Sequence, residues 1–209
     1  TFAFLKVNII PAVIFIGIAG ASSKMLVIKG GTIDTTGTMM MIISLSLGAI
    51  VGEMLDLDGK MIHFGEWLKI KTGNAKDKKF VDGFVTASLT VCIGAMAVVG
   101  SIEDGIHADH SILFAKAILD FVIILVMSAT LGKGCLFSFV PVGLFQGTIT
   151  LLANLISPFI TASAMSALSY IGSILIFCVG VNLVFNTKIR VANLLPALIV
   201  ACICTVFPL

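Results

Sequence analysis

The sequence predicts an all-α bundle of membrane-spanning helices. Two observations carry this reading. Hydrophobic residues make up 58% of the 209-residue chain and charged residues 11%, whereas a soluble domain carries roughly 25% charged residues. The apolar residues also come in long runs separated by short polar segments. A soluble fold must present a polar outside, and this composition cannot supply one, whereas a bilayer accepts an apolar outside. The net charge of +2 gives no global field that points to nucleic acid.

A membrane helix needs about 20 mostly apolar residues. Runs of that length fall at 3–21, 36–55, 83–101, 112–131, 135–157, 164–185 and 191–208, which predicts seven spans in one integral membrane domain over 1–209. Helices satisfy their own backbone polar groups, which the hydrocarbon core requires. The short alternating strands of a membrane barrel are absent.

Lysine placement orients the spans. The longest polar segment, 56–80, holds Lys60, Lys69, Lys71, Lys76, Lys78 and Lys79, and positive loops stay cytoplasmic. The next loop holds Glu103, Asp104 and Asp109 with no Lys or Arg, and falls outside. Lys133 then falls inside, the loop near Pro158 outside, and Lys188 with Arg190 inside. This scheme puts Thr1 inside and Leu209 outside, and it puts Lys24 and Lys29 outside, against the rule. Within the basic loop, Met61, Phe64, Trp67 and Leu68 share one side of a helical wheel with Glu66 and Lys69 opposite, and Ile62 breaks the pattern. The segment reads either as a helix on the inner membrane surface with Trp67 at headgroup level or as an ordinary solvated helix.

Two stretches resemble each other: Ile42–Gly48 (IISLSLG) and Val126–Gly132 (VMSATLG). Each precedes a Cys-x-Gly, at Cys92–Gly94 and Cys178–Gly180, 44 residues after the glycine in one case and 46 in the other. Internal repeats organise many transporters around a midplane site, and gene duplication alone also leaves them. The five cysteines, Cys92, Cys135, Cys178, Cys202 and Cys204, are odd in number and lie in apolar stretches. They read as packing residues, not as a disulfide framework or metal site.

Polar groups inside apolar spans carry the functional signal. A carboxylate at the bilayer centre costs roughly 2.5–3.5 kcal/mol on insertion scales. Asp120 sits midway in its span, with Lys116 one turn earlier on the same face, so each offsets part of the other's cost. The pair reads either as a packing contact or as an ion or proton site. Glu53, near the inner end of its span, reads as an interfacial anchor or an ion ligand. Gln146 and Asn154, two turns apart, share a span with Pro141, Gly143, Gly147 and Pro158. Those breakers are expected to interrupt the helix and free backbone groups for a solute; interhelical hydrogen bonding is the alternative. Asn182, Asn186 and Asn193 surround the inner loop and read as capping groups. Gly48-x-x-x-Gly52 and Gly143-x-x-x-Gly147 are close-packing motifs.

Other motifs fail on spacing. Asp56–Gly59 lacks the later ligands of a calcium loop, and His107, Asp109 and His110 lack a third well-spaced ligand. There is no phosphate-binding loop or nucleophile elbow. No metal, cofactor or enzyme activity is therefore expected.

Several runs together, Leu45–Gly59 (LSLGAIVGEMLDLDG), Gly65–Leu68 (GEWL), Gly83–Ala97 (GFVTASLTVCIGAMA), Lys116–Asp120 (KAILD) and Ile189–Ala197 (IRVANLLPA), resemble the YdfK/YqgA-like family of bacterial membrane proteins, defined as a domain of unknown function. The resemblance covers most of the chain, although 28–41 departs from its pattern. It implies one further span before Thr1, hence about eight in the intact protein, and a place in the bacterial cytoplasmic membrane. Glu53, Asp58, Asp104, Lys116, Asp120, Arg190 and Asn193 match its motif positions. The sequence leads to a transporter of a small solute or ion, with a preference for a monovalent cation or a proton-coupled solute. An ion channel and a non-transport scaffold or sensor are the alternatives. The expected partners are the lipid bilayer and the solute, with self-association left open.

Overall fold

The computed structural model describes the backbone of residues 2–29, 31–93, 95–185 and 187–206, with side chains from residue 13 onward except 29, 95, 159 and 206. Gly94, Asn186, Thr1 and Leu209, which carried parts of the repeat, capping and orientation readings, lie outside the described residues. The chain is predominantly helical. In order come α1 (Phe2–Met25), a hairpin of β1 (Leu26–Lys29) and β2 (Thr32–Thr35), α2 (Thr38–Leu55), α3 (Leu57–Lys71), α4 (Phe80–Cys92) and α5 (Ala95–His107). Then follow α6 (Ser111–Leu131), a 3-10 turn (Lys133–Ser138), α7 (Phe139–Leu151), the short α8 (Ala153–Ile156), α9 (Ala162–Phe185), a second 3-10 turn (Val191–Leu194) and α10 (Pro196–Val206).

Among the described residues, four helical stretches are long and apolar enough to cross a membrane: Thr38–Leu55, Ser111–Leu131, Lys133–Leu151 and Ala162–Phe185. A fifth results if α4 and α5, bent by 62° at their junction, count as one span. The apolar helices Val13–Met25 and Val191–Thr205 are shorter. The departure of 28–41 from the family pattern has a local form: the hairpin pairs Ile28 with Ile33, and α2 begins only after Gly37 in the left-handed region (φ 72°).

The residues form two compact units, one built on Asp58–Ser157 and one on 10–57 with 158 onward. In the first, Leu68, Phe80 and Phe84 form a core that joins α3 to α4, with Met61, Phe64 and Phe137 against it. Ala87, Met127 and Cys135 form a second core that joins α4, α6 and the first 3-10 turn. That turn lies close on α4, because a Cβ at Gly134 would overlap the Phe80 carbonyl. In the second unit α2 packs on α10 and the second 3-10 turn, and α9 packs on α10. A Cβ at Gly52 would overlap the Asn193 carbonyl, so glycine is what lets this turn sit on α2. Both units thus contain a long helix, a 3-10 turn and a shorter helix with a proline in its first turn (Pro141 and Pro196), the turn seated on a separate helix.

The span expected over 135–157 with Pro141, Gly143, Gly147 and Pro158 is interrupted at Leu152, between α7 and α8, and not at Pro141 or either glycine. α7 runs unbroken from Phe139 through both glycines to Leu151. Pro141 lies in the first turn, where a backbone N–H has no intrahelical acceptor, so a proline costs little there. A second break lies inside the expected span 83–101, where α4 ends at Cys92 and Ile93 is extended (φ −79°, ψ 108°). Ser88 and Thr90 donate their hydroxyls back to the carbonyls of Phe84 (2.6 Å) and Thr86 (2.8 Å) just before it, a pattern that bends helices.

Candidate functional site

α6 carries the charged centre. Its positions Lys116, Asp120, Ile124 and Ser128 recur every fourth residue and form one stripe; Leu113, Ala117, Phe121 and Leu125 form the next. All eight line a cavity of about 460 Å³ in the first unit. Val91 of α4 closes another side, and Leu136, Ser138, Phe139, Val142 and Gln146 complete the wall from the 3-10 turn and α7.

Lys116 is buried, with its side chain 7% exposed, and Asp120 is 21% exposed. The ammonium donates to the Asp120 carboxylate. It also donates to the backbone carbonyl of Val91 at 3.0 Å. Val91 lies in the last turn of α4, whose carbonyls lose their intrahelical donors when the helix stops at Cys92. A cation there also meets the negative end of the helix dipole. Lys116 therefore satisfies two groups that would otherwise be unpaired in an apolar interior: a carboxylate and a carbonyl released by the break.

The remaining polar groups of the wall are Gln146, Ser138 and Ser128. Ser138 is 2% exposed. The Ser128 hydroxyl is buried and has no hydrogen-bond partner among the described residues. The cavity is thus mostly apolar, with one ion pair of zero net charge and a few neutral polar groups. It suits a small solute with an apolar part better than a bare, strongly hydrated cation.

The structure brings together Asp120, Lys116 and Gln146 of the residues that the sequence singled out. Asn154 does not join them. Two turns of separation place it over Gln146 only in an unbroken helix, but α7 ends at Leu151, and Asn154 lies exposed on α8. Glu53 is in the second unit. Its carboxylate accepts from Arg190 at 2.8 Å and from Asn193 Nδ2 at 2.6 Å. Asn193 is 3% exposed, whereas the Arg190 and Glu53 side chains are 58% and 61% exposed. Gly48 and Gly52 face Ala197 and Asn193, while no heavy atom lies within 4 Å of a Cβ built at Gly143 or Gly147. Asn182 Nδ2 donates to the Ile189 carbonyl (2.7 Å), and its oxygen accepts from Thr187 (2.7 Å) and the Ile189 N–H (2.9 Å), which shapes the loop after α9.

The end of α5 and the loop after it hold two histidine–carboxylate contacts, His107 with Glu103 at 2.7 Å and His110 with Asp104. Asp109 accepts the Ser111 N–H at 2.9 Å at the start of α6. Hydrogen bonds from Ser111 hold its carboxyl below the usual carboxylate range, aided by the nearby histidines. Asp58 lies in the first turn of α3. No group of three or more His, Cys, Asp or Glu among the described residues is placed to hold a metal ion.

Ser128, Ser138 and the Val91 carbonyl had not been singled out. The period-four stripe from Lys116 would have found Ser128. No signal in the sequence marks Val91, since a backbone carbonyl acquires a role only when its helix stops.

Long apolar helices, one of them carrying an ion pair, define a helical membrane protein. The chain belongs to the DUF554 family, described as a protein of unknown function, which it matches over residues 7–206. It is 27% identical over 168 residues to the uncharacterized membrane protein YdfK of Bacillus subtilis, covering 80% of this chain and 70% of that one. It is 28% identical over 165 residues to the uncharacterized protein YqgA of Escherichia coli, covering 77% and 70%. No solved structure matches the chain.

Proposed function

We propose that the protein is a multi-pass transporter of the bacterial cytoplasmic membrane that carries a small solute, coupled to protons, through the cavity beside Asp120. One observation carries the reading: the Lys116–Asp120 pair forms part of the wall of a cavity of about 460 Å³ instead of being sealed among side chains. An ionisable group within an apolar helix is costly, and such groups mark pathways and proton relays. The α4–α5 break supports the same reading, since interrupted helices supply backbone groups at substrate sites. The zero net charge of the pair favours proton coupling over transport of a bare cation. When Asp120 takes a proton, Lys116 keeps the Val91 carbonyl and loses its counter-charge, so the site's charge changes by one in each cycle. The seven-span topology and the duplication belong to this proposal, as the arrangement that would put such a site between two gates.

The test is proton movement in proteoliposomes, read by an entrapped pH-sensitive dye under an imposed membrane potential. Radioactive rubidium uptake serves as the parallel probe for a monovalent cation. Asp120→Asn is expected to lower the proton flux by at least about a hundredfold, the low end of the range by which loss of a positioned acid–base group slows a proton-transfer step. Flux equal to that of the parent protein would remove Asp120 from the mechanism. Rubidium uptake without proton movement would favour the cation reading.

A further inference from the structure

α3 presents an outer surface that the cavity does not use. Its inner face is Met61, Phe64, Gly65 and Leu68, at helical spacing, packed on α4 through Phe80 and Phe84. The expected apolar side therefore faces protein, with the exception of Trp67. Trp67 stacks on Phe64 with ring centroids 5.8 Å apart, yet remains 53% exposed. Ile70 is 70% exposed and Ile62 37%. At about 100° per residue, Ile62, Ile70 and Trp67 share the outer arc of the helix. Lys60 and Lys71 border the arc beyond Trp67, and Lys69 borders it beyond Ile62. The following turn adds Lys76, Lys78 and Lys79.

We infer that this face of α3 lies in the headgroup layer of the membrane and binds anionic phospholipid. Three observations converge. The α3 segment starts one residue after the C-cap of the apolar helix α2, Asp56, and α4 opens the next apolar pair, so the segment joins two apolar elements. Its outer arc carries Ile62, Ile70 and the aromatic Trp67, together with Glu66 and His63, between flanking lysines, an arrangement in which a helix can lie in an interface while its long basic side chains reach the phosphates. Six lysines stand against three acids, Asp58, Glu66 and Asp77, over 57–79, and none of the six makes an ion pair among the described residues. Glu66 lies on the arc between Ile62 and Ile70 and opposes an anion; the surplus of lysines outweighs it. The complement of this charge is the anionic lipid of the cytoplasmic leaflet.

Trp67 is the single tryptophan of the chain, so its fluorescence reports this face alone. The full-length protein is placed in nanodiscs of phosphatidylcholine with increasing fractions of brominated phosphatidylglycerol, and in matched discs with brominated phosphatidylcholine. Trp67 is expected to be quenched at a lower fraction of the anionic lipid than of the zwitterionic one. Lys60→Gln with Lys69→Gln and Lys71→Gln should raise the fraction needed by at least about fivefold, the factor that about 1 kcal/mol per surface lysine implies for even one of them. The three Arg replacements should keep the preference, which separates charge from misfolding. Equal quenching by both lipids would overturn the recognition of anions. No quenching by either would overturn the membrane contact, and an unchanged preference in the Gln variant would remove these lysines from it. Proton flux through the Asp120 cavity is a separate readout, so neither proposal depends on the other.

Discussion

Lys116 shows how a single side chain settles the chemistry of its surroundings. Its ammonium holds a carboxylate and a broken helix's carbonyl at once. Removing one partner of a buried pair leaves the other charge uncompensated, at a cost of about 3–5 kcal/mol. Lys116→Met should therefore lower thermal stability in detergent sharply. Lys116→Met with Asp120→Leu should recover most of that loss, because the double change leaves no orphan charge. The Glu53 cluster should behave differently. Arg190→Gln removes an exposed ion pair and should cost at most about 1 kcal/mol. Asn193→Leu removes a buried donor and should cost about 1–3 kcal/mol. Thermal unfolding of the two variants side by side checks the ranking. The Lys116–Asp120 spacing was legible because residues four apart on a helix must share a face. Asn154 was misplaced for the same reason in reverse: the rule fails across the break at Leu152.

At the scale of elements, helix ends decide more than helix interiors do. α6 begins with Asp109 accepting the Ser111 N–H, an end group outside the apolar span. Its folded-state pKa is depressed, so the stabilisation is present above the unfolded carboxylate pKa and is lost as pH falls through the folded value. Asp109→Asn should therefore differ from the parent protein in thermal stability near neutral pH, and the difference should shrink as the medium is acidified below the usual carboxylate range. The seat of the 3-10 turn on α2 is equally local. Gly52→Leu should disrupt the second unit, since its side chain would have to displace the Asn193 backbone. Loss of a cooperative unfolding transition in that variant is the expected outcome, and unchanged unfolding would show that the turn can shift. The apolar runs predicted where most of these helices lie. The exact positions of the interruptions, at Leu152 and Ile93, were not legible there, because prolines and glycines break a helix only where their backbone groups are needed, and Pro141 stands where none is.

For the whole molecule, the decisive question is the bent pair α4–α5, either one broken span or a re-entrant loop. The two cases place the acidic loop on opposite sides of the membrane relative to the basic segment. With the five native cysteines replaced by serine and a cysteine placed at Asp109 or at Lys76, a membrane-impermeant maleimide should label Asp109→Cys in intact cells and Lys76→Cys only after the membrane is opened. Labelling of both, or of neither, in intact cells would mean that α4 and α5 re-enter and leave on the same face.

The sequence alone determined the class of this protein and its charged pair. Apolar composition and run length follow from what a bilayer tolerates, and a fourfold spacing on a helix follows from local geometry, so neither needs the rest of the fold. Only the tertiary structure decided which polar groups share a cavity. Gln146 and Ser138 line the same cavity as Asp120 through the packing of α7 and its turn, Asn154 and Glu53 do not line it, and the Val91 carbonyl becomes a partner of Lys116 because a helix stops at Cys92. Those relations join residues far apart in the chain, where spacing carries no information and packing carries all of it.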